Sequence, residues 1–202
     1  MTQKYADDQK MLDELQSVTH GWKPRSGFLK DRWRGYDEAT LLYVLARGSP
    51  TFPLPEESYP AWLSSYRWRK IYDYEFIYAG PLFVHQLSHI WIDFRGIQDD
   101  YVRARGLDYF ENRRRATYVQ QQYAIRNPLA SFGFAATFNP TYPVKSRNEY
   151  GWISPWKYGL NEGPIVIMIE NYRTGLVWRL MRQCPYIVNG LRRAGIIPAS
   201  LS

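Results

Sequence analysis

One pair of acidic residues, Asp37 and Glu38, stands at the start of an apolar segment that runs from Tyr36 to Ala46. The segment is apolar around most of its circumference, which predicts a helix inside the protein. A helix dipole stabilises acids in a first turn, so structure alone can account for Glu38. A carboxylate at the end of a buried helix must however face a cleft or a partner, where it can serve in general acid/base catalysis. We therefore predict Glu38 as the catalytic carboxylate.

Other acidic residues occur in patterns that also fit structural roles. Asp93 and Arg95 are spaced to form an ion pair that fixes a turn. Glu111 belongs to an acid–amide pair followed by an arginine, and a buried bracket between helices explains it adequately. The same pattern recurs at Glu170. Glu162 precedes Gly163-Pro164 and is expected at a helix entrance, facing the end where the loops gather.

His85 and His89 lie four residues apart in the string HQLSH, a spacing that places both on one face of a helix. Metal-binding helices with this spacing carry a glutamate beside the first histidine, and here Gln86 occupies that place. The chain has only one other histidine, so we predict no metal. These imidazoles are expected either to hydrogen-bond a polar substrate or to line the core.

The sequence lacks the residues and motifs that several kinds of chemistry require. Cys184 is the only cysteine, which excludes an intramolecular disulfide, and no histidine near it supports a nucleophilic thiol. The chain has no GxSxG string, phosphate loop or dinucleotide fingerprint. We therefore predict no cofactor.

The composition favours a folded protein with a flat, hydroxylated ligand. Aromatic residues make up 17% of the chain, including 8 Trp and 17 Tyr, which suit both packing and stacking on sugars. The net charge of +7 is scattered, and its densest run is Arg113-Arg114-Arg115 beside Glu111. No nucleic-acid module accompanies it, so a basic helical nucleic-acid-associated protein is only a remote alternative.

The chain as written shows no membrane or export signal. No apolar run reaches the roughly 18 residues that a transmembrane helix needs, and the polar N-terminus lacks the apolar core of a secretory signal. We therefore expect a cytoplasmic protein with no membrane partner.

Helical patterns without alternating strands predict an all-α architecture of packed hairpins, with long loops gathered at one end. Gly80-Pro81 should open a second buried helix, because proline at a first helical position loses no hydrogen bond. The predicted helices cover residues 4–17, 36–46, 82–92, 108–125, 165–169, 174–182 and 185–194.

Five long strings now identify a family. The chain resembles the glycoamylase-like domain family, which includes bacterial β-1,2-glucan hydrolases and a domain of cyclic β-1,2-glucan synthases. The resemblance covers most of residues 20–195. Its strings are HGWKPRSGFL, RGYDEATLLYVLARGSPTFPLP, GPLFVHQLSHIWIDFRGIQDDY, DYFENRRRATYVQQQYAIRNP and GLNEGPIVIMIENYRTGLVWRLM.

The resemblance implies an (α/α)6 toroid around a sugar pocket, and hydrolysis of a glucan, β-1,2-glucan first, by two carboxylates with inversion. Inversion requires an acid and a base about 6.5–9.5 Å apart, with a water between them. Glu38 is implied as one pocket acid, with Glu162, Glu111 or Asp93 as its partner. The residues expected to contact the oligosaccharide are Trp33, Asp37, His85, Gln86, Trp91 and Arg95.

The chain also departs from the family pattern. Family domains extend upstream of residue 1, a family segment is absent near residues 128–134, and Asn161 stands where many relatives have aspartate. We therefore predict an incomplete toroid-like array with three parts: a degenerate N-terminal helix (1–20), a partial glycoamylase-like domain (21–196) and a tail (197–202). A non-catalytic remnant that still binds carbohydrate is the alternative function. Self-association through exposed helix faces is a further expectation.

Overall fold

The computed structural model describes residues 17–126, 138–139, 152–154, 156 and 158–198. Residues 1–16 of the predicted N-terminal helix and the predicted gap near 128–134 lie outside this part. The described end of that first segment is not helical, because Thr19 forms a bridge with Arg32.

The described chain is predominantly helical with a few short strands. Its helices are α1 (Thr40–Arg47), α2 (Ser58–Leu63), the single turn α3 (Asp100–Arg103), α4 (Tyr109–Arg126), α5 (Gly159–Thr174), α6 (Leu176–Met181) and α7 (Pro185–Arg193). The long amphipathic helix predicted for 108–125 is α4, and the predictions for 174–182 and 185–194 correspond to α6 and α7.

The expectation of a chain without strands was wrong, because short strands form four two-stranded antiparallel pairs. The largest is a hairpin with Trp68 opposite Ile77 and Ile71 opposite Tyr74, whose Tyr72 adopts a positive φ of 53° in the turn. The pairs are β1 (Trp22–Lys23) with β2 (Gly27–Phe28), β3 (Trp68–Ile71) with β4 (Tyr74–Ile77), β5 (Ile97–Gln98) with β8 (Ile197–Pro198), and β6 (Phe138–Asn139) with β7 (Trp152–Ile153). The pair of β5 with β8 places the start of the predicted tail beside residues 97–98.

Two helix predictions need correction. The segment predicted as an α-helix over 82–92 forms two 3₁₀ turns, Leu82–His85 and Ser88–Ile90, because its backbone amides bond three residues back, as Gln86 does to Phe83. Helix α5 begins at Gly159 rather than after Gly163, so Pro164 lies inside it. Pro164 is the sixth residue of this helix, past the four starting amides that lack an internal partner, so it removes the hydrogen bond that its position would make to the Leu160 carbonyl.

The core accounts for most of the aromatic excess. Tyr43 stacks on Trp62 with ring centroids 4.6 Å apart, and both side chains are fully buried. Buried Asp99 accepts hydrogen bonds from the hydroxyls of Tyr59 at 2.8 Å and Tyr109 at 2.5 Å. These rings, with Tyr36, Tyr66 and Phe94, join the loops before α1 and α4 into one packed body. Within the described ranges, no helix is long and apolar enough to cross a membrane.

Candidate carboxyl site and adjoining groove

The turn that carries Asp37 and Glu38 is fastened to the HQLSH segment by one serine. The hydroxyl of Ser88 donates to the Glu38 carbonyl at 3.0 Å and accepts from the Leu41 amide at 3.1 Å. The Leu41 amide is one of the donors that a helix start leaves without an internal partner. The structure thus brings together two predicted site segments and uses one to cap α1.

Glu38 lies just before α1 and not in its first turn, which corrects the sequence prediction. Helix α1 begins at Thr40, and Ala39 is its N-cap residue. The Asp37 carboxylate accepts the Ala39 amide at 2.9 Å, so the acidic pair forms a turn that leads into the helix. Stabilisation by the helix dipole therefore does not account for Glu38, because the dipole acts on groups within the first turn.

The carboxyl group of Asp37 titrates near neutral pH. Burial raises its pKa to about 7, and the charge of neighbouring Glu38 acts in the same direction. The hydrogen bond from the Ala39 amide opposes this rise more strongly than Glu38 adds to it, but it does not outweigh burial. A carboxyl group that titrates near neutral pH is suited to general acid/base work.

The Glu38 side chain is half-buried, and within the described part of the chain its carboxylate has no hydrogen-bond or ion-pair partner.

Asp93, which follows the HQLSH segment, is in contrast paired with two arginines. Asp93 binds Arg95 through two hydrogen bonds of 2.8 Å and also binds Arg182 at the end of α6. Burial opposes the charge of Asp93, but the arginine contacts outweigh it and hold its pKa below the usual value. The predicted ion pair that fixes this turn is therefore present.

Glu111 and Glu162, the other predicted partners of Glu38, stand on different helices. Glu111 binds Arg114 at 2.6 Å and Arg115 at 2.9 Å on its own helix, so the predicted bracket between helices was wrong. Although burial of Glu111 opposes its charge, these arginines lower its pKa. Glu162 is exposed in the first turn of α5. Glu170 likewise pairs within its helix, with Arg173 at 3.7 Å.

The two histidines line the core and do not form a metal site. His85 is 1% exposed and packs against Tyr36 at 4.9 Å between ring centroids, while His89 is 3% exposed and packs against Phe94 at 4.6 Å. Burial lowers the pKa of His85 to about 4, so its ring is neutral at physiological pH. Among the described residues, no cluster of histidine, cysteine or acidic side chains could hold a metal ion.

A groove of about 440 Å³ opens beside the HQLSH segment, between α4 and α5–α6. Gln86 and Arg95 line it, as do three residues that were not predicted: Phe110, Arg113 and Trp178. The α5 side of the groove is apolar, and Tyr172 at its edge is 90% exposed. Aromatic faces with amide and guanidinium donors are the groups that recognise sugars. Asp37 and Glu38 are not among the lining residues.

Two buried side chains hold α5 and α6 against the HQLSH segment. Asn171 donates to the Ile90 carbonyl at 3.0 Å and accepts from the Trp178 amide at 3.3 Å. The Trp178 indole donates to the His89 carbonyl at 2.8 Å, and Arg95 stacks over its ring at 4.7 Å. Arg95 therefore meets α6 through a ring contact, and the backbone at His89 and Ile90 is bonded to both helices.

The predicted sugar contacts Trp33 and Trp91 lie apart from the groove lining. Trp33 is half-buried and stacks against His20 with ring centroids 4.3 Å apart. Trp91 is half-buried against the core beside Asp93. Their role as sugar contacts stays a prediction.

The sequence held signals for two of the unpredicted residues. Arg113 belongs to a run of three arginines that shares one nearby acid, and one acid cannot neutralise three cations. Asn171 belongs to an acid–amide pair, and the structure shows that the amide makes the contacts between elements while the acid stays within its own helix. Trp178 carried no comparable signal, since it is one of eight tryptophans in the chain.

The described chain thus combines a predominantly helical fold with a groove of aromatic, amide and guanidinium groups. The glycoamylase family model, described as "Putative glucoamylase", matches residues 30–130 and 129–185. These matches span more than half of the chain, and the chain belongs to this family.

Relatives of known name are distant in sequence and similar in fold. An exo β-1,2-glucooligosaccharide sophorohydrolase from Parabacteroides distasonis is 23% identical over 257 residues, which cover 85% of this chain and 35% of the relative. A "putative glucoamylase" from Bacteroides uniformis superposes with a TM-score of 0.72 at 24% identity, covering 94% of this chain and 61% of that one. An endo-β-1,2-glucanase from Chitinophaga pinensis, solved with sophorotriose and glucose, gives 0.71 at 22% identity, covering 93% and 61%.

The chain thus spans about a third of the sophorohydrolase and about three fifths of the two solved structures.

Proposed function

We propose that this chain acts on a glucan, and that β-1,2-linked glucose oligomers are its substrate class. The observation that carries the proposal is the fastened Asp37–Glu38 turn, in which one carboxyl group keeps a proton near neutral pH and the next has no ion-pair partner. Family membership and the names of two relatives support the choice of substrate. The arrangement of the helices as part of an (α/α)6 toroid belongs to the same proposal.

In the proposed hydrolysis, Asp37 donates its proton to the glycosidic oxygen as the bond from that oxygen to the anomeric carbon breaks. Glu38 accepts a proton from the water whose oxygen bonds to that carbon. Attack from the opposite face inverts the anomeric configuration, which requires the two carboxyl groups to flank the sugar about 6.5–9.5 Å apart. Gln86 and Arg95 bind sugar units in the groove, while His85, being buried, acts as a positioning residue through its contact with Tyr36.

Asp93 and Glu111 are poorer partners for Glu38 than Asp37 is. Both are held by arginines that lower their pKa, so neither carries a proton near neutral pH. Glu162 remains an alternative base, because it is exposed and has no ion-pair partner in the described chain.

The test is release of reducing sugar from β-1,2-glucooligosaccharides, with α-1,4-linked oligosaccharides as the comparison. Glu38→Gln and Asp37→Asn should each lower the rate by about 100-fold or more, the usual contribution of a general acid or base. The matched control is Glu56→Gln, an exposed glutamate that should keep the wild-type rate. The rate should also fall above pH 7, where Asp37 loses its proton. Wild-type protein that releases no sugar from either substrate would sink the catalytic proposal.

A carbohydrate-binding protein without turnover is the second candidate. The observation in its favour is that two of the three predicted partner carboxylates, Asp93 and Glu111, are committed to arginines. It predicts that oligosaccharides bind to the groove with equal affinity in wild type and Glu38→Gln, and that neither protein hydrolyses them. Calorimetry beside the hydrolysis assay separates the two functions.

A further inference from the structure

Arg113 is a cation without an acidic partner in the described part of the chain. Its neighbours Arg114 and Arg115 share Glu111 as their ion-pair partner, and Arg113 does not. The Arg113 Nε is buried and has no hydrogen-bond partner, while the guanidinium carbon stands 5.0 Å from the Phe110 ring centroid. Desolvating a guanidinium costs free energy that a ring face recovers only in part.

The surroundings of Arg113 leave its charge unbalanced. Burial lowers its pKa, and among nearby groups only Tyr36 acts in the other direction. The positive charge extends to the two core histidines, where it adds to burial in lowering their pKa. The second guanidinium of the groove, that of Arg95, is already paired with Asp93.

Gln86 provides a second unmet polar group in the same groove. The residue is only 8% exposed, and its side-chain amide makes no hydrogen bond to any other described residue. An amide carries two donors and one acceptor, and those of Gln86 are open to a ligand that enters the groove. The groove therefore contains an unbalanced positive charge on a partly desolvated guanidinium and a neutral hydrogen-bonding group on the same lining.

The remaining lining suits the body of a sugar ring. Phe110, Trp178 and Tyr172 provide aromatic surface, and α5 adds aliphatic side chains. A volume of about 440 Å³ lies within the range of ordinary small-ligand sites, roughly 300–1,000 Å³.

We propose that this groove binds a sugar that carries an oxyanion, either a carboxylate or a phosphate, with the anion on Arg113 and the sugar hydroxyls on Gln86. The inference rests on the proposed function only in taking carbohydrate as the ligand. It adds that the preferred ligand is acidic, which the neutral glucose oligomers named for the relatives are not.

The test measures binding of glucose, glucuronate, glucose 6-phosphate and inorganic phosphate to the full chain by calorimetry, at low and at moderate salt. At least one acidic sugar should bind about tenfold or more tightly than glucose, a ratio that corresponds to about 1.4 kcal/mol. That preference should shrink as salt rises. The glucuronate and glucose 6-phosphate arms show which oxyanion the site takes, and the phosphate arm shows whether the sugar contributes.

Variants locate the site. Arg113→Gln should bring the acidic sugar down to the affinity of glucose, while Arg113→Lys should keep part of the preference because it keeps the charge. The matched control is Arg126→Gln, which removes a cation from the far end of the same helix, where it stacks on Tyr72, and should leave binding unchanged. Thermal unfolding of each variant verifies folding, and the wild-type ligand series needs no variant.

Three results would overturn the inference: equal affinity for glucose and both acidic sugars, inorganic phosphate binding as tightly as glucose 6-phosphate, or an acidic preference that survives Arg113→Gln. Hydrolysis of β-1,2-glucooligosaccharides that depends on Glu38 could still hold in each case. Failure of the inference is thus distinguishable from failure of the proposed function.

Discussion

Helices α1 and α7 cross in backbone contact, whereas α5 lies beside α4 with a groove between them. At the crossing, a Cβ added to Gly48 would lie 1.8 Å from the Tyr186 carbonyl oxygen, and one added to Gly190 would lie 1.8 Å from that of Val44. On the other side, α5 is positioned by the hydrogen bonds of Asn171 and Trp178. The α1–α7 crossing is therefore held by close backbone packing, whereas α5 is held by a few hydrogen bonds.

This difference separates stability from binding. The crossing excludes solvent and leaves no room for a ligand, so its residues contribute to the free energy of unfolding. The groove keeps a cation and an amide partly desolvated, which costs stability and leaves them available to a ligand. Substitutions at the crossing should therefore affect mainly folding, and substitutions at the groove mainly binding.

The largest expected effect is that of Gly190→Ala, at the centre of the crossing. The new methyl group has no room beside the Val44 carbonyl, so the helices must separate, with a loss of about 3 kcal/mol or more. That loss corresponds to a melting temperature lower by roughly 6–12 °C in a chain of this size. Circular dichroism during heating measures it.

The matched control is Gly159→Ala at the start of α5, where an added Cβ meets no atom within 4 Å. Alanine favours helix over glycine by about 1 kcal/mol, so this variant should be as stable as wild type or more stable. Equal melting temperatures for the two alanine variants would contradict the close crossing.

The next effect is on the groove side, in Asn171→Ala. The change leaves the Ile90 carbonyl and the Trp178 amide without their partner in a buried place, at a cost of about 2 kcal/mol. Because α5 and α6 lose a fastening to the HQLSH segment, sugar affinity should fall as well. The control is Asn189→Ala on the exposed face of α7, which should change neither stability nor binding. An Asn171→Ala protein with wild-type stability would show that the amide does not hold the helices.

The sequence predicted which segments are helical better than it predicted their type and the residues at which they begin and end. Apolar periodicity located α4, α6 and α7 closely, because their faces are decided by local spacing. It failed at residues 82–92, where Ser88 and His85 bond to the Glu38 and Ala79 carbonyls of other segments. Tertiary hydrogen bonds of this kind leave no periodic signal. The hairpin of β3 and β4 was missed because each strand is only four residues long.

The candidate site was predicted only in part, because contacts between distant segments are not visible in the sequence. The sequence named the Asp37–Glu38 pair and the HQLSH segment, and the structure fastens one to the other. It could not distinguish Asp37, beside another acid, from Asp93, beside two arginines, since Arg182 joins Asp93 from 89 residues away. The charge balance of a carboxyl group depends on neighbours that only the fold supplies.

The next smaller effect is a difference in pH dependence between Asp37, in the turn that leads into α1, and Asp93, which is paired with Arg95 of the groove. The folded protein keeps the Asp37 proton up to about pH 7, while the unfolded chain releases it near pH 4. Stability should therefore fall as pH rises between these values. Asp37→Asn keeps an acceptor for the Ala39 amide and removes this fall, so it should gain about 1–2 kcal/mol at pH 8 and nothing at pH 4.

Asp93 should behave in the opposite way. Its folded pKa lies below the usual value, so the stability from its arginine contacts is present above about pH 4 and is lost as pH falls further. Asp93→Asn should cost about 1 kcal/mol at pH 7 and less in acid. Urea unfolding of the two variants measures the Asp37 slope between pH 4 and pH 8 and the Asp93 slope from about pH 4 down to about pH 2. Identical slopes would show that the two acids do not differ in their surroundings.

The smallest effect on stability should come from Tyr172→Ser at the edge of the groove. Tyr172 is 90% exposed, so the folded state loses little packing, and the free energy of unfolding should change by less than about 0.5 kcal/mol. Sugar affinity should nevertheless fall several-fold, because a ring face that stacks on a sugar is lost. The matched control is Phe52→Ser, a ring 79% exposed in the loop after α1, which should leave both quantities unchanged. If Tyr172→Ser lowered stability while leaving affinity intact, the α5 face would be a packing surface rather than a binding wall.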